Sequence, residues 1–171
     1  MGVQTIYATN YTAAFAGMLA DDSAHDIIAM VSEEASAEIA FGRAVKFGTA
    51  DTGALLPTAE SSIIAGIVRF SHAYGISPFG DLGTIGVKPG GNLSVLRKGR
   101  IWVVAEDGCA PGERLWVRGV ASGDPEFLGG LTNADDATDT VDCTNQGVWL
   151  TTAAAGGLGV LEVAFTNKPG V

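Results

Sequence analysis

Residues that turn or break a chain recur about every 8 to 15 positions along this sequence, a spacing that suits short strands and leaves little room for packed helices. Ile63–Phe70 is rich in β-branched side chains, with Gly66 placed where a bulge would fall. Leu93–Leu96 and Arg100–Ala105 flank Arg97-Lys98-Gly99, which predicts a tight hairpin connection. Ala110-Pro111-Gly112 predicts a turn leading into a strand over Arg114–Arg118. Gly123-Asp124-Pro125 predicts another turn, ahead of Phe127 and Leu128. Val148–Thr152 and Leu158–Phe165 are the last two expected strands. The 24 glycines are scattered rather than periodic, which excludes a collagen-like repeat. The expected fold class is mainly β: a compact barrel- or sandwich-like body, with an extended N-terminal arm. At 171 residues it is one domain with a real core. Ser23–Glu38 stays open between helix and strand. Ser23 and Asp26 suit a helix cap, while Ile27, Ile28, Met30 and Val31 suit a strand.

The arm is read from charge. Met1 to Ala20 contain no Asp, Glu, Lys, Arg or His, whereas residues 21–60 hold eight acidic side chains and two basic ones. Tyr7, Tyr11, Phe15, Met18 and Leu19 are spread through the uncharged segment. Such a segment stays in water only if something covers it. It is no secretory signal, because it has no positive start and no unbroken apolar run. It is too polar to span a membrane. Two readings follow: an arm over residues 1–22 that docks on a partner, with a β-rich body over 23–171, or an ordinary first strand.

The formal net charge of −9 argues against nucleic acid, which needs a dense basic face, and against an anionic membrane surface. The acid is uneven. Residues 61–118 carry seven Lys/Arg and four Asp/Glu, and residues 119–171 carry one Lys and seven Asp/Glu. A basic middle between acidic flanks suits contacts between copies, and also an unevenly charged solvated surface.

Two strands repeat a pattern. Alternation puts Arg114, Trp116 and Arg118 on one face and Leu115 and Val117 on the other. Arg100 and Trp102 likewise share a face. Trp between Arg side chains is enriched at protein interfaces. The same residues could simply stack guanidinium on indole at a free surface.

No sequence signature supports catalysis or a cofactor. His25 lies among Asp21, Asp22 and Asp26, ligands too close in sequence to converge on a metal without a turn. His72 has no nucleophile elbow to serve. Asp135, Asp136, Asp139 and Asp142 lack the spacing, central Gly and terminal Glu of a calcium loop. Neither Gly-rich stretch, Lys88–Gly91 or Gly156–Gly159, opens a phosphate-binding helix. Cys109 and Cys143 form no metal-binding spacing, and free thiols are expected, with a single disulfide left open.

Five segments in order then carry a resemblance. They are FAGMLAD from Phe15, DIIAMVSEEASAEIAFGRAV from Asp26, IIAGIVRFSHAY from Ile63, GVKPGGNLSVLRKGRIWVVAEDGCAPGERLWVR from Gly86, and LTTAAAGGLGVLEVAF from Leu150. Together the segments resemble the structural cement, or decoration, proteins of tailed bacteriophage capsids, with Asp124–Gln146 matching least well. The resemblance implies a non-enzymatic β-rich protein, commonly trimeric, on the outside of the phage head. It implies that Asp26–Ser32 is a strand. Its partners would be the major capsid protein and other copies of itself, with no nucleic acid and no membrane. No cofactor is expected. The protein would be made in the bacterial cytoplasm and end on the outer surface of the virion. The resemblance assigns no contact residue by residue; local chemistry makes Tyr7, Tyr11, Phe15, Met18 and Leu19 the expected capsid-binding residues. The expected residues for contact between subunits or with the capsid are Arg100, Trp102, Arg114, Trp116 and Arg118. A virion-surface module binding carbohydrate or receptor through exposed Trp and the acidic loop is the alternative, and a small hydrolase dependent on His25 or His72 is a third.

Overall fold

The computed structural model describes residues 14–71, 86–120 and 127–166. The predicted turn at Gly123-Asp124-Pro125, together with Tyr7, Tyr11 and His72, lies outside them. Every regular element among the described residues is a strand: β1 Asp26–Ser32, β2 Ile39–Ala40, β3 Ala44–Phe47, β4 Gly53–Leu55, β5 Ile64–Val68, β6 Gly86–Val87, β7 Asn92–Val104, β8 Trp116–Arg118, β9 Leu131–Thr132, β10 Thr140–Asp142, β11 Gly147–Trp149 and β12 Leu158–Ala164. The main sheet runs β1-β4-β3-β5-β7-β12-β11, and a further β1–β7 pairing closes its first five strands into a barrel. Pairing is antiparallel except between β1 and β4. A three-stranded sheet, β10-β8-β9, and the pair β2-β6 complete the body.

Two apolar clusters result. The barrel strands each contribute to one, through Met30, Ala54, Val45, Val68 and Val95, with Ile39, Phe41 and Val87 joining from β2, β6 and the chain between β2 and β3. The other lies between the outer part of the main sheet and the three-stranded sheet, around Ile101, Leu115, Val117, Trp149 and Leu161. β5 is buried along its whole length because it feeds both clusters, with Ile64 and Ile67 on one side and Ala65 and Val68 on the other. That explains a run of apolar residues without alternation. The expected irregularity at Gly66 is present as a register shift in the β3–β5 pairing. A Cβ at Gly66 would collide with the Leu96 carbonyl.

Within the open stretch Ser23–Glu38, Asp26–Ser32 forms strand β1, as the resemblance implied, and the residues on either side are neither helix nor strand. The sequence reading of Arg97-Lys98-Gly99 is corrected: β7 passes through it as one strand of 13 residues. The reason lies in its partners. Register slips between Asp26↔Lys98 and Ile27↔Leu96, leaving Arg97 as the extra residue of a bulge rather than a turn. The first half of β7 pairs with β1 and β5, and the second half with β12. The predicted turn at Ala110–Gly112 is present, closed by Glu113 N donating to Ala110 O, with Gly112 at φ 90°.

Candidate contact surface

Residues 14–20 sit on their own body. Gly17 N donates to Trp102 O (2.7 Å), Trp102 N to Met18 O (2.8 Å) and Ala20 N to Arg100 O (2.9 Å). Leu19 thus forms a bridge to Ile101 and packs against the outer cluster. Phe70 N donates to Gly17 O, which ties the same segment to the end of β5. Gly17 has φ 87°, and any Cβ there would press on Phe70 N at 2.7 Å. Of the expected arm residues, Leu19 and Met18 are half-buried, whereas Phe15 remains 55 % exposed. Its ring stacks at 6.0 Å on Phe70, which in turn meets Phe41 edge-on at 5.2 Å.

On β7, Arg100 and Trp102 do share the outward face, both half-buried. Arg100 is clamped from two sides, donating from Nη1 to Asp21 Oδ2 (2.9 Å) and from Nε to Glu162 Oε2 (3.0 Å). The Asp21 and Glu162 hydrogen bonds hold its pKa above the ordinary arginine value. Asp21 is held below the usual carboxylate range, first by the Ser23 hydroxyl and then by Arg100. The pair therefore fixes the residues that follow the uncharged segment to the centre of the sheet.

The second Trp pattern divides. Arg114 is exposed and Trp116 half-buried, but Arg118 is interior, with a side chain 2 % exposed. Its Nε donates to Glu106 Oε2 (3.2 Å) and its Nη1 to Asp136 Oδ2 (2.6 Å). Alternation along the strand is intact, so what changes is the cover. Gly129 and Gly130 pair alongside the Arg118 backbone, and the Glu106 and Asp136 carboxylates meet the guanidinium and compensate its buried charge. Arg118 is thus a structural cation, not part of an outward Arg-Trp-Arg face. β7 and β8 belong to different sheets, so the two Trp patterns do not form one strand-paired surface.

Sequence reasoning missed an apolar groove of about 510 Å³ between Ala16, Phe41, Arg43, Val104, Phe127 and Leu131. Val104 and Phe127 are 40 % and 50 % exposed. The Arg43 guanidinium lies 4.6 Å from the Phe127 ring centroid. Burial pulls the Arg43 pKa below its ordinary value, partly offset by the Glu106 carboxylate. With Ala155 and Gly156 also lining it, the groove draws on five separate stretches of chain, and no local pattern joins them.

The remaining candidates for chemistry are ordinary in their surroundings. His25 Nδ1 is 3.0 Å from Ser23 O at the surface. Cys109 and Cys143 are free and buried. Burial pushes the Cys143 thiol up to about 12, and it raises Cys109 as well. Among the described residues, no group of three or more His, Cys, Asp or Glu is placed to hold a metal ion.

The described residues form a closed five-stranded barrel extended into a second strand layer. The chain belongs to the structural cement protein family (E217 gp24/Pam3 gp6), whose sequence pattern matches residues 3–164. It is thereby a structural protein of the phage capsid class. Among solved structures, it is similar to a chain in the capsid of Myoviridae Phage XM1, at TM-score 0.68 and 19 % identity over 96 % of this chain and 98 % of that one. It is also similar, at TM-score 0.47 and 15 % identity over 85 % of this chain and 98 % of that one, to the head fiber gp8.5 N base of bacteriophage phi29. No curated protein sequence matches it.

Proposed function

We propose that this protein binds the outer surface of the mature phage head and stabilises it, without enzymatic activity, by bridging neighbouring major capsid protein subunits. The observation that carries this reading is membership of the cement family over nearly the whole chain. The body, residues 23–171, acts as the clamp, and residues 1–22 as the docking arm. Tyr7, Tyr11, Phe15, Met18 and Leu19 supply the arm's apolar contacts. The body supplies Arg100, Trp102, Arg114 and Trp116. Copies associate as trimers on the shell, and the uneven charge along the chain sets their register.

Physical economy supports the role. Packaged DNA pushes outward and pulls capsomer contacts apart. A small protein spanning a seam adds interface area where the shell is weakest. Many copies at symmetric positions make modest single-site affinity effective. Sites formed only on expansion would make binding select the mature shell, by differential affinity for the two states. An acidic protein on the exterior also stays clear of the DNA within. It is made in the bacterial cytoplasm and joins the head there.

The test is addition of purified protein to expanded heads lacking it, with occupancy and the temperature of DNA release as readouts. Saturable occupancy and a raised release temperature are expected. Heads that stay bare, or that fill without gaining stability, would refute the clamp.

A further inference from the structure

Arg43 is the one groove residue whose charge is poorly answered. Its side chain is 23 % exposed, and its nearest carboxylate oxygen among the described residues, Glu106 Oε1, is 3.9 Å from Nη1. That distance is an ion contact and not a hydrogen bond. Glu106 is already committed, since Oε2 accepts from Arg118 Nε (3.2 Å) and Oε1 from Phe127 N (3.1 Å). The Phe127 ring covers one face of the guanidinium. A stacked guanidinium keeps its N–H donors in the plane, free to meet an acceptor at the edge. The groove therefore presents partly desolvated donors beside exposed apolar surface from Val104 and Phe127.

We infer that this groove docks an extended segment of the coat subunit carrying a large apolar side chain beside an Asp or Glu. The apolar side chain fills the space between Phe41, Val104, Phe127 and Leu131. The carboxylate meets Arg43 in a bidentate, charge-assisted pair, stronger than the water it displaces. Charge complementarity selects an acidic occupant over the chain's own residues 1–13, which contain aromatic side chains but no carboxylate, and the crosslink below separates a coat segment from a comparable stretch of this chain, Phe79-Gly80-Asp81. The inference rests on the capsid-binding reading and names the chemistry of one contact within it.

A photo-crosslinking residue, p-benzoylphenylalanine, in place of Val104 on the full chain tests the occupant on expanded heads. Mass spectrometry is expected to find the crosslink on a coat peptide with an acidic residue within about two positions of an aromatic or large aliphatic one. A crosslink to residues 1–13 or to any other part of this chain, or none, overturns the inference. Head binding of Arg43→Gln and Val104→Glu gives the energetic arm. Val104 is 40 % exposed, and urea unfolding of both variants checks that the body stays folded. Each variant is expected to need about tenfold more protein, or more, for half-saturation. Wild-type protein that fails to bind heads would take down the capsid-binding reading as well. Wild-type binding with both variants unimpaired would overturn only the groove.

Discussion

Arg118 and Glu106 form an ion pair at 3.2 Å with side chains only 2 % and 6 % exposed. The pair joins β8 to the stretch after β7, and Asp136 and Phe127 N attach to its two ends. Removing one partner leaves the other charged and buried, which costs about 3–5 kcal/mol in comparable pairs. Arg118→Ala and Glu106→Ala are each expected to lose stability on that scale in urea unfolding at neutral pH. Asp136→Asn is expected to lose about 1 kcal/mol or less, because Asp136 is 53 % exposed and water replaces it. Equal losses for Asp136 and Glu106 would show that the network is anchored from the surface rather than the interior.

Glu33 gives the fold an acid-sensitive pin. Its carboxylate accepts from Thr49 N (2.7 Å), Thr49 Oγ1 (2.9 Å) and Ala50 N (2.8 Å), fastening the β3–β4 loop to the end of β1. The Thr49 and Ala50 backbone donors hold its pKa below the usual glutamate value. A depressed folded-state pKa means the unfolded chain takes up the proton first. The contribution is therefore complete above the unfolded value of about 4.3 and is lost as pH falls through the lower folded value. Glu33→Gln is expected to lower the melting temperature at pH 7, with the gap from wild type closing in acid below that point. A gap independent of pH would mean the loop is held by shape and not by charge.

Much of this architecture is legible in the residues, and the exceptions share a cause. β-branched runs and turn residues mark β5, β12 and the Ala110–Gly112 turn, because these depend on local preference and alternation. β7 does not read as one strand, because Lys-Gly after Arg looks the same in a hairpin and in a bulge. Only the partners, β1 on one half and β12 on the other, decide between them. Arg118 looks like a surface residue for a similar reason. Alternation places a side chain on a face but does not say whether distant carboxylates, here Glu106 and Asp136, will meet it there and allow its burial. The Arg43–Phe127 groove is illegible because its walls lie far apart in the chain.

The thiols offer a check on the outer cluster. Cys143 is 2 % exposed with its pKa pushed up to about 12, and Cys109 is 7 % exposed with its Sγ 3.2 Å from Thr151 O. Thiolate is the reactive form, so both thiols should be inert in the native protein. Ellman's reagent at pH 8 is expected to release no colour from native protein and two equivalents per chain in denaturant. Rapid reaction of one thiol before denaturant would indicate local opening near Gly159, which packs against Cys109 Sγ.

The two Trp patterns sit in different surroundings. Trp102 sits on β7 opposite Val160, with residues 17–18 hydrogen-bonded to its backbone and Arg100 clamped one step along the same face. Trp116 lies on β8 beside an exposed Arg114, one step from the buried ion pair. A Trp that anchors a contact at the centre of an interface costs about 2 kcal/mol or more on truncation, which is roughly 30-fold in affinity. Trp102→Ala and Trp116→Ala are each expected to weaken head binding or trimer formation on that scale. Urea unfolding of the free protein separates contact from fold. A loss of binding that exceeds what the change in unfolding midpoint explains marks a contact residue. A loss that merely tracks destabilisation marks a Trp that only covers its own sheet. Trp149 is fully buried and serves as the internal control, since Trp149→Phe should change stability without a separate effect on head occupancy.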